Sequence, residues 1–122
     1  MSNVDLTPEE RAKIVAERAD VKYGPFASLH EAYGVLAEEL WELEQCFTFE
    51  VVPNHGAFMR VLHLNSEDGF INRVYDARSW VHRSLEMLNS PLYVKKKFNK
   101  AREECIDVIA VCDRIITQWG EK

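Results

Sequence analysis

The stretch LHEAYGVLAEELWELEQCF, residues 29–47, decides how this chain is read. At about 100° per residue, Leu29, Tyr33, Leu36, Leu40, Leu43 and Phe47 fall on one narrow stripe, the pattern of a helix with a buried face. Ala32, Val35, Glu39, Glu42 and Cys46 form a second stripe roughly 100° away, so Glu39 and Glu42 emerge from a partly apolar face. A helix held only by packing needs less charge than Glu38, Glu39, Glu42 and Glu44 supply. The two carboxylates on the apolar margin are therefore the first functional candidates.

A second amphipathic helix is predicted in KAREECIDVIAVCDRIITQW, residues 100–119, where Ala101, Cys105, Val108, Cys112, Ile115 and Trp119 make the core stripe. Glu104 and Asp107 lie at the margin of that stripe, one turn apart. If the two helices pack side by side, four carboxylates converge, and unpaired anions so close raise one another's pKa values. A hard divalent cation relieves that conflict. Magnesium takes oxygen ligands, retains several waters and is held by few carboxylates together with substrate phosphates, so the spacing suggests phosphate chemistry. A third acid-x-x-acid pair, Glu17/Asp20, lies in a generally charged segment, and context alone separates it from Glu39/Glu42 and Glu104/Asp107.

Composition narrows the class. A chain of 122 residues with 47% apolar residues builds one core, so residues 1–122 are read as a single domain. A net charge of −5 argues against nucleic-acid polymers and anionic membranes as partners but allows a free nucleotide, whose phosphates arrive with metal ions. Three cysteines without close pairing fit reduced thiols, and no secretory leader or long apolar run is present, so a cytoplasmic protein is expected. There is no P-loop, no G-x-G-x-x-G and no C-x-x-C. Glu-x-x-His pairs of the di-iron type and zinc-like histidine spacings are also absent.

Around these two helices the chain is punctuated clearly. Thr7, Pro8 and Glu10 predict a capping box and a peripheral helix to about Val21, with Ala12, Val15, Ala16 and Ala19 as its weak packing face. Gly24 and Pro25 break it, and Ser28 caps the next helix. Residues 47–72 mix β-formers, turn residues and a helix-start signal. From Ile71 to Asn89 the helical period returns on Val74, Ala77, Val81, Ser84, Leu85 and Leu88, widened by Trp80 and Met87. Ser90 and Pro91 stop that helix and start the last one. Four further side chains are ligand candidates. His30 and Trp80 are the first two, although Trp80 suits packing better. Lys100 and Arg102, following Lys95, Lys96 and Lys97, would meet the outer phosphates, with an intrahelical Lys100–Glu104 pair competing for Lys100.

KYGPFASLHEAYGVLAEELWEL, together with the later REECIDVIAV, resembles the all-α nucleoside triphosphate pyrophosphohydrolases of the MazG type, including small phage and bacterial members. The likeness rests on Glu39-Leu40-Trp41-Glu42 and Glu104-Cys105-Ile106-Asp107, each preceded by a further Glu, and covers Lys22 to Glu44 and Arg102 to about Ile116. It implies an all-α bundle of four to five helices and a homodimer or higher homo-oligomer, which the apolar surface of the main helix also suggests. It further implies Mg²⁺ held by Glu39, Glu42, Glu104 and Asp107. The expected reaction is hydrolysis of a nucleoside triphosphate, a deoxynucleotide for preference, to the monophosphate and pyrophosphate, with Glu38 or Glu39 as general base. The alternative class is a non-catalytic interaction or nucleotide-sensing protein that keeps the acidic helix pair.

Overall fold

The computed structural model describes residues 6–46, 67–89 and 98–120. Helix α1, Pro8–Tyr23, begins with the predicted capping box: the Thr7 hydroxyl accepts from the Glu10 amide at 3.1 Å, and the Glu10 carboxylate accepts from the Thr7 amide at 3.0 Å. It ends at Gly24, whose φ of 72° suits a residue without a side chain. Helix α2, Leu29–Gln45, starts where the Ser28 hydroxyl accepts from the Glu31 amide at 3.1 Å. Helix α3 spans Glu67–Leu88, so the loop-or-start signal at residues 65–69 is a helix start. Helix α4 spans Asn99–Ile115 and continues into a π-helical turn, Ile116–Gly120. Among the described residues the protein is therefore all-helical, with four α-helices and no strand.

The central element is α4 rather than α2. Val108, Ile109, Ala110, Val111 and Cys112 are all buried in succession, which requires neighbours on every side. Helices α1, α2 and α3 supply them, each packing on α4. Leu36, Leu40 and Leu43 of α2 meet it with no exposed surface, as do Val74, Ala77, Val81 and Leu88 of α3. The second stripe on α2 is also real: Ala32 is fully buried, and Val35 and Cys46 pack on the core cluster.

Helix α1 packs through the weak face expected of it, Ala12 and Ala16 being buried and Val15 packing on the core, and these small residues let it approach α4 closely. One expectation changes. Met87 does not widen the α3 stripe; it is 36% exposed, turned outward beside the buried Leu88. Phe98, at the cap position before Asn99, provides no side-chain cap and packs on the core instead. The readings for residues 47–66, for Ser90 and Pro91, and for Lys95, Lys96 and Lys97 lie outside the described residues.

The α1–α2 link is fastened to the end of α4. Phe26 is buried and stacks on Trp119, with ring centroids 6.1 Å apart, and its backbone exchanges two hydrogen bonds with the Gln118 side chain, at 3.0 and 2.9 Å. Arg114 completes the clasp. Its guanidinium donates to Asp20 at 2.8 Å and to the Gly24 carbonyl at 2.9 Å, and lies 4.4 Å over the Phe26 ring. Replacing Arg114 by Met keeps the stem but removes all three contacts, so urea unfolding should show a loss of about 2–3 kcal/mol. A loss below about 0.5 kcal/mol, the scale of a neutral surface change, would mean that the clasp contributes nothing.

Candidate functional site

The packing of α2 on α4 sets the site. Glu39 and Glu42 stand one turn apart on the α2 stripe beside Leu40 and Leu43; Glu104 flanks Cys105 on α4. Where the helices meet, one carboxylate oxygen each from Glu39, Glu42 and Glu104 lies within 4.8 Å of the others, and all three residues are half-buried. Asp107, also half-buried, stands beside this trio and acts on both Glu39 and Glu104 through its charge.

Electrostatics follow from this crowding. Burial first, then Glu42, Asp107, Glu104 and Glu38, push the Glu39 carboxyl up to about 7 from its ordinary 4.5. Burial, Asp107 and Glu42 likewise raise Glu104, opposed by Lys100. Asp107 is raised by burial, Glu103 and Glu42, and drawn back by Arg11. The Cys46 thiol is raised by burial and by Glu104, and Cys105 is pushed up to about 12, so both behave as apolar spacers under the cluster. Oε2 of Glu39 and Oε2 of Glu104 are buried with no hydrogen-bond partner among the described residues. Such atoms are costly unless something accepts their charge. Protons relieve the cluster in part, and an oxygen-only donor set drawn from two helices also fits a hard divalent cation.

Two clefts open next to the carboxylates. The larger, about 460 Å³, lies between α1, α2 and α4, walled by Val15, Ala19, Val35, Ala110 and Val111, with Glu39 and Asp107 at its edge and Phe26 and Arg114 also lining it. The smaller, about 200 Å³, is lined by Arg11, Arg18, Glu103, Leu6, Ile14 and Val15. Val15 is common to both.

The other predicted site residues are placed differently. Glu38 is exposed, one residue and thus about 100° round the helix from Glu39. His30 is exposed on the first turn of α2, where the larger cleft is lined by Glu31. Trp80 packs on the core. Lys100 is exposed but near enough to act on Glu104. Arg102 turns to α3, donating to the Leu88 carbonyl at 3.0 Å and to the Asn99 side chain. These contacts tie the end of α3 to the start of α4. Arg11, which pairs with Glu103 at 2.5 Å, and Arg114 in the larger cleft were not anticipated, because α1 reads as a solvated helix and both pairings cross more than ninety positions of chain.

Comparison with protein-family models, curated proteins and solved structures returned no match to this chain.

Proposed function

We propose that this protein is a magnesium-dependent nucleoside triphosphate pyrophosphohydrolase of the MazG type, releasing a nucleoside monophosphate and pyrophosphate. The observation that carries the reading is the meeting of Glu39, Glu42 and Glu104, drawn from two helices, with the buried Oε2 atoms of Glu39 and Glu104 unpartnered among the described residues. Magnesium held by these three, with Asp107 beside them, would supply charge neutralisation on the phosphate chain. The protein's own groups do the rest. The largely apolar cleft beside Glu39 and Asp107, with Arg114 also in its lining, would take the organic part of the substrate. Glu39, at the edge of the cleft, would be the carboxylate that takes a proton from an attacking water. Glu38, exposed on the neighbouring face, is the weaker candidate for that step.

The reading takes the protein as a cytoplasmic homo-oligomer acting on the free nucleotide pool. Trp41, 57% exposed on α2, supports a subunit contact there. No helix among the described residues is long and apolar enough to cross a membrane.

Thermal unfolding with and without millimolar Mg²⁺, followed by pyrophosphate release from a panel of ribo- and deoxynucleoside triphosphates, tests the proposal. A cation that binds only the folded state raises the melting temperature by mass action. A Mg²⁺-dependent shift with pyrophosphate release is the expected result. A shift with nucleotide binding but no release would instead make the protein a nucleotide sensor, and no shift at all would dismiss the site.

A further inference from the structure

Helix α1 carries Arg11 and Arg18 two turns apart on one face, and both line the smaller groove. Arg11 reaches α4 and pairs with Glu103, both side chains being open to water, 32% and 56% exposed. Ion pairs this exposed add little stability, so the Glu103 carboxylate is an exchangeable partner. Arg18 is exposed and forms no ion pair among the described residues. Glu103 is the chain neighbour of Glu104, and Asp107, one turn further along α4, feels the Arg11 charge directly. Arg11 therefore stands between an open, arginine-lined groove and the carboxylate cluster. A phosphate carries more charge than a carboxylate and presents three acceptor oxygens to the guanidinium fork, so it competes well for that position.

We propose that Arg11, with Arg18 beside it, binds the terminal phosphates of the triphosphate, Glu103 holding the Arg11 guanidinium until phosphate displaces it. The assignment rests on the reading of Glu39, Glu42 and Glu104 as a cation site. It adds groups on α1 to the cations that the sequence suggests for the phosphates, Lys100 and Arg102. It also gives the substrate a direction: phosphates toward the arginine groove, and the organic part toward the apolar cleft on the other side of Val15.

The test is calorimetric titration of the full chain with inorganic tripolyphosphate, with and without Mg²⁺. Magnesium-dependent binding is expected for the wild type. Arg11→Gln should weaken it by about tenfold or more, because a charge-assisted pair is lost. Arg11→Lys should recover part of the affinity, and Glu103→Gln should tighten binding severalfold by removing the competing anion. These opposite signs set the proposal apart from a merely structural ion pair, for which both variants would lower the melting temperature alike and leave affinity unchanged. Wild-type binding that Glu39→Gln abolishes but Arg11→Gln retains would overturn this proposal alone. No magnesium-dependent binding by the wild type would overturn it together with the cation-site reading.

Discussion

On the proposed cation-site reading, Glu39→Gln should sharply reduce triphosphate cleavage and, at the same time, make the cation-free protein more stable above neutral pH. The two effects share one cause. In the wild type the Glu39 carboxyl is pushed up to about 7 from 4.5, so between those values the folded protein holds a proton that the unfolded chain has released. Stability of the cation-free wild type must then fall as pH rises through that window, and the cost is fully present above it. Glu104 and Asp107 are raised as well and act in the same direction. Glutamine removes the Glu39 share. With allowance for partial solvation of this half-buried group, that share amounts to about 1–2 kcal/mol, or roughly 3–8 °C in melting temperature. At pH 4 the two proteins should melt alike. With Mg²⁺ present the order should reverse, because only the wild type gains from the cation. Turnover should drop by on the order of a hundredfold to a thousandfold, the loss typical when one charge-bearing group is removed from a preorganised site. A variant that melts like the wild type at pH 8 and retains its activity would remove Glu39 from the site.

The largest stability effect is expected at Ile109, in the middle of α4 and fully buried. Ile109→Ala leaves a cavity in the helix on which the other three pack, and rigid neighbours on several sides limit collapse into it. The loss should be about 3–4 kcal/mol in urea unfolding with little change of slope. For a domain of this size that is a large part of the total stability. A loss near 1 kcal/mol, the cost of a well-accommodated change, would mean that α4 is less enclosed than its row of buried residues indicates.

Local signals in the chain were highly legible. The Thr7–Glu10 box, the Gly24 stop, the Ser28 cap and the stripes on α2 and α3 are written in short spacings, and they reappear as hydrogen bonds and buried faces. The convergence of Glu39, Glu42 and Glu104 was legible for a subtler reason: each lies on the edge of a core stripe, so packing the stripes necessarily brings the edges together. What the sequence obscured is long-range. Periodicity in residues 100–119 shows one apolar stripe, and does not reveal that Ile106, Ile109, Ala110 and Val111 are covered from other sides. Nor can the charge of Arg11, Arg102 and Arg114 say whether each faces water, a helix end or a cleft; that depends on partners remote in the chain.

The position of α4 has a consequence for how the molecule comes into being. Its three companions precede it in the chain, and each packs mainly on it. During synthesis they emerge from the ribosome with their apolar faces unpartnered, and the chief surface they need arrives after them. Helix α3 meets α4 as a neighbour in the chain, whereas α1 and α2 must close long loops to reach it, so their docking carries the larger entropic cost. Until α4 emerges, the leucine face of α2 lacks the helix it packs on among the described residues, and the nascent chain is open to association with other chains there.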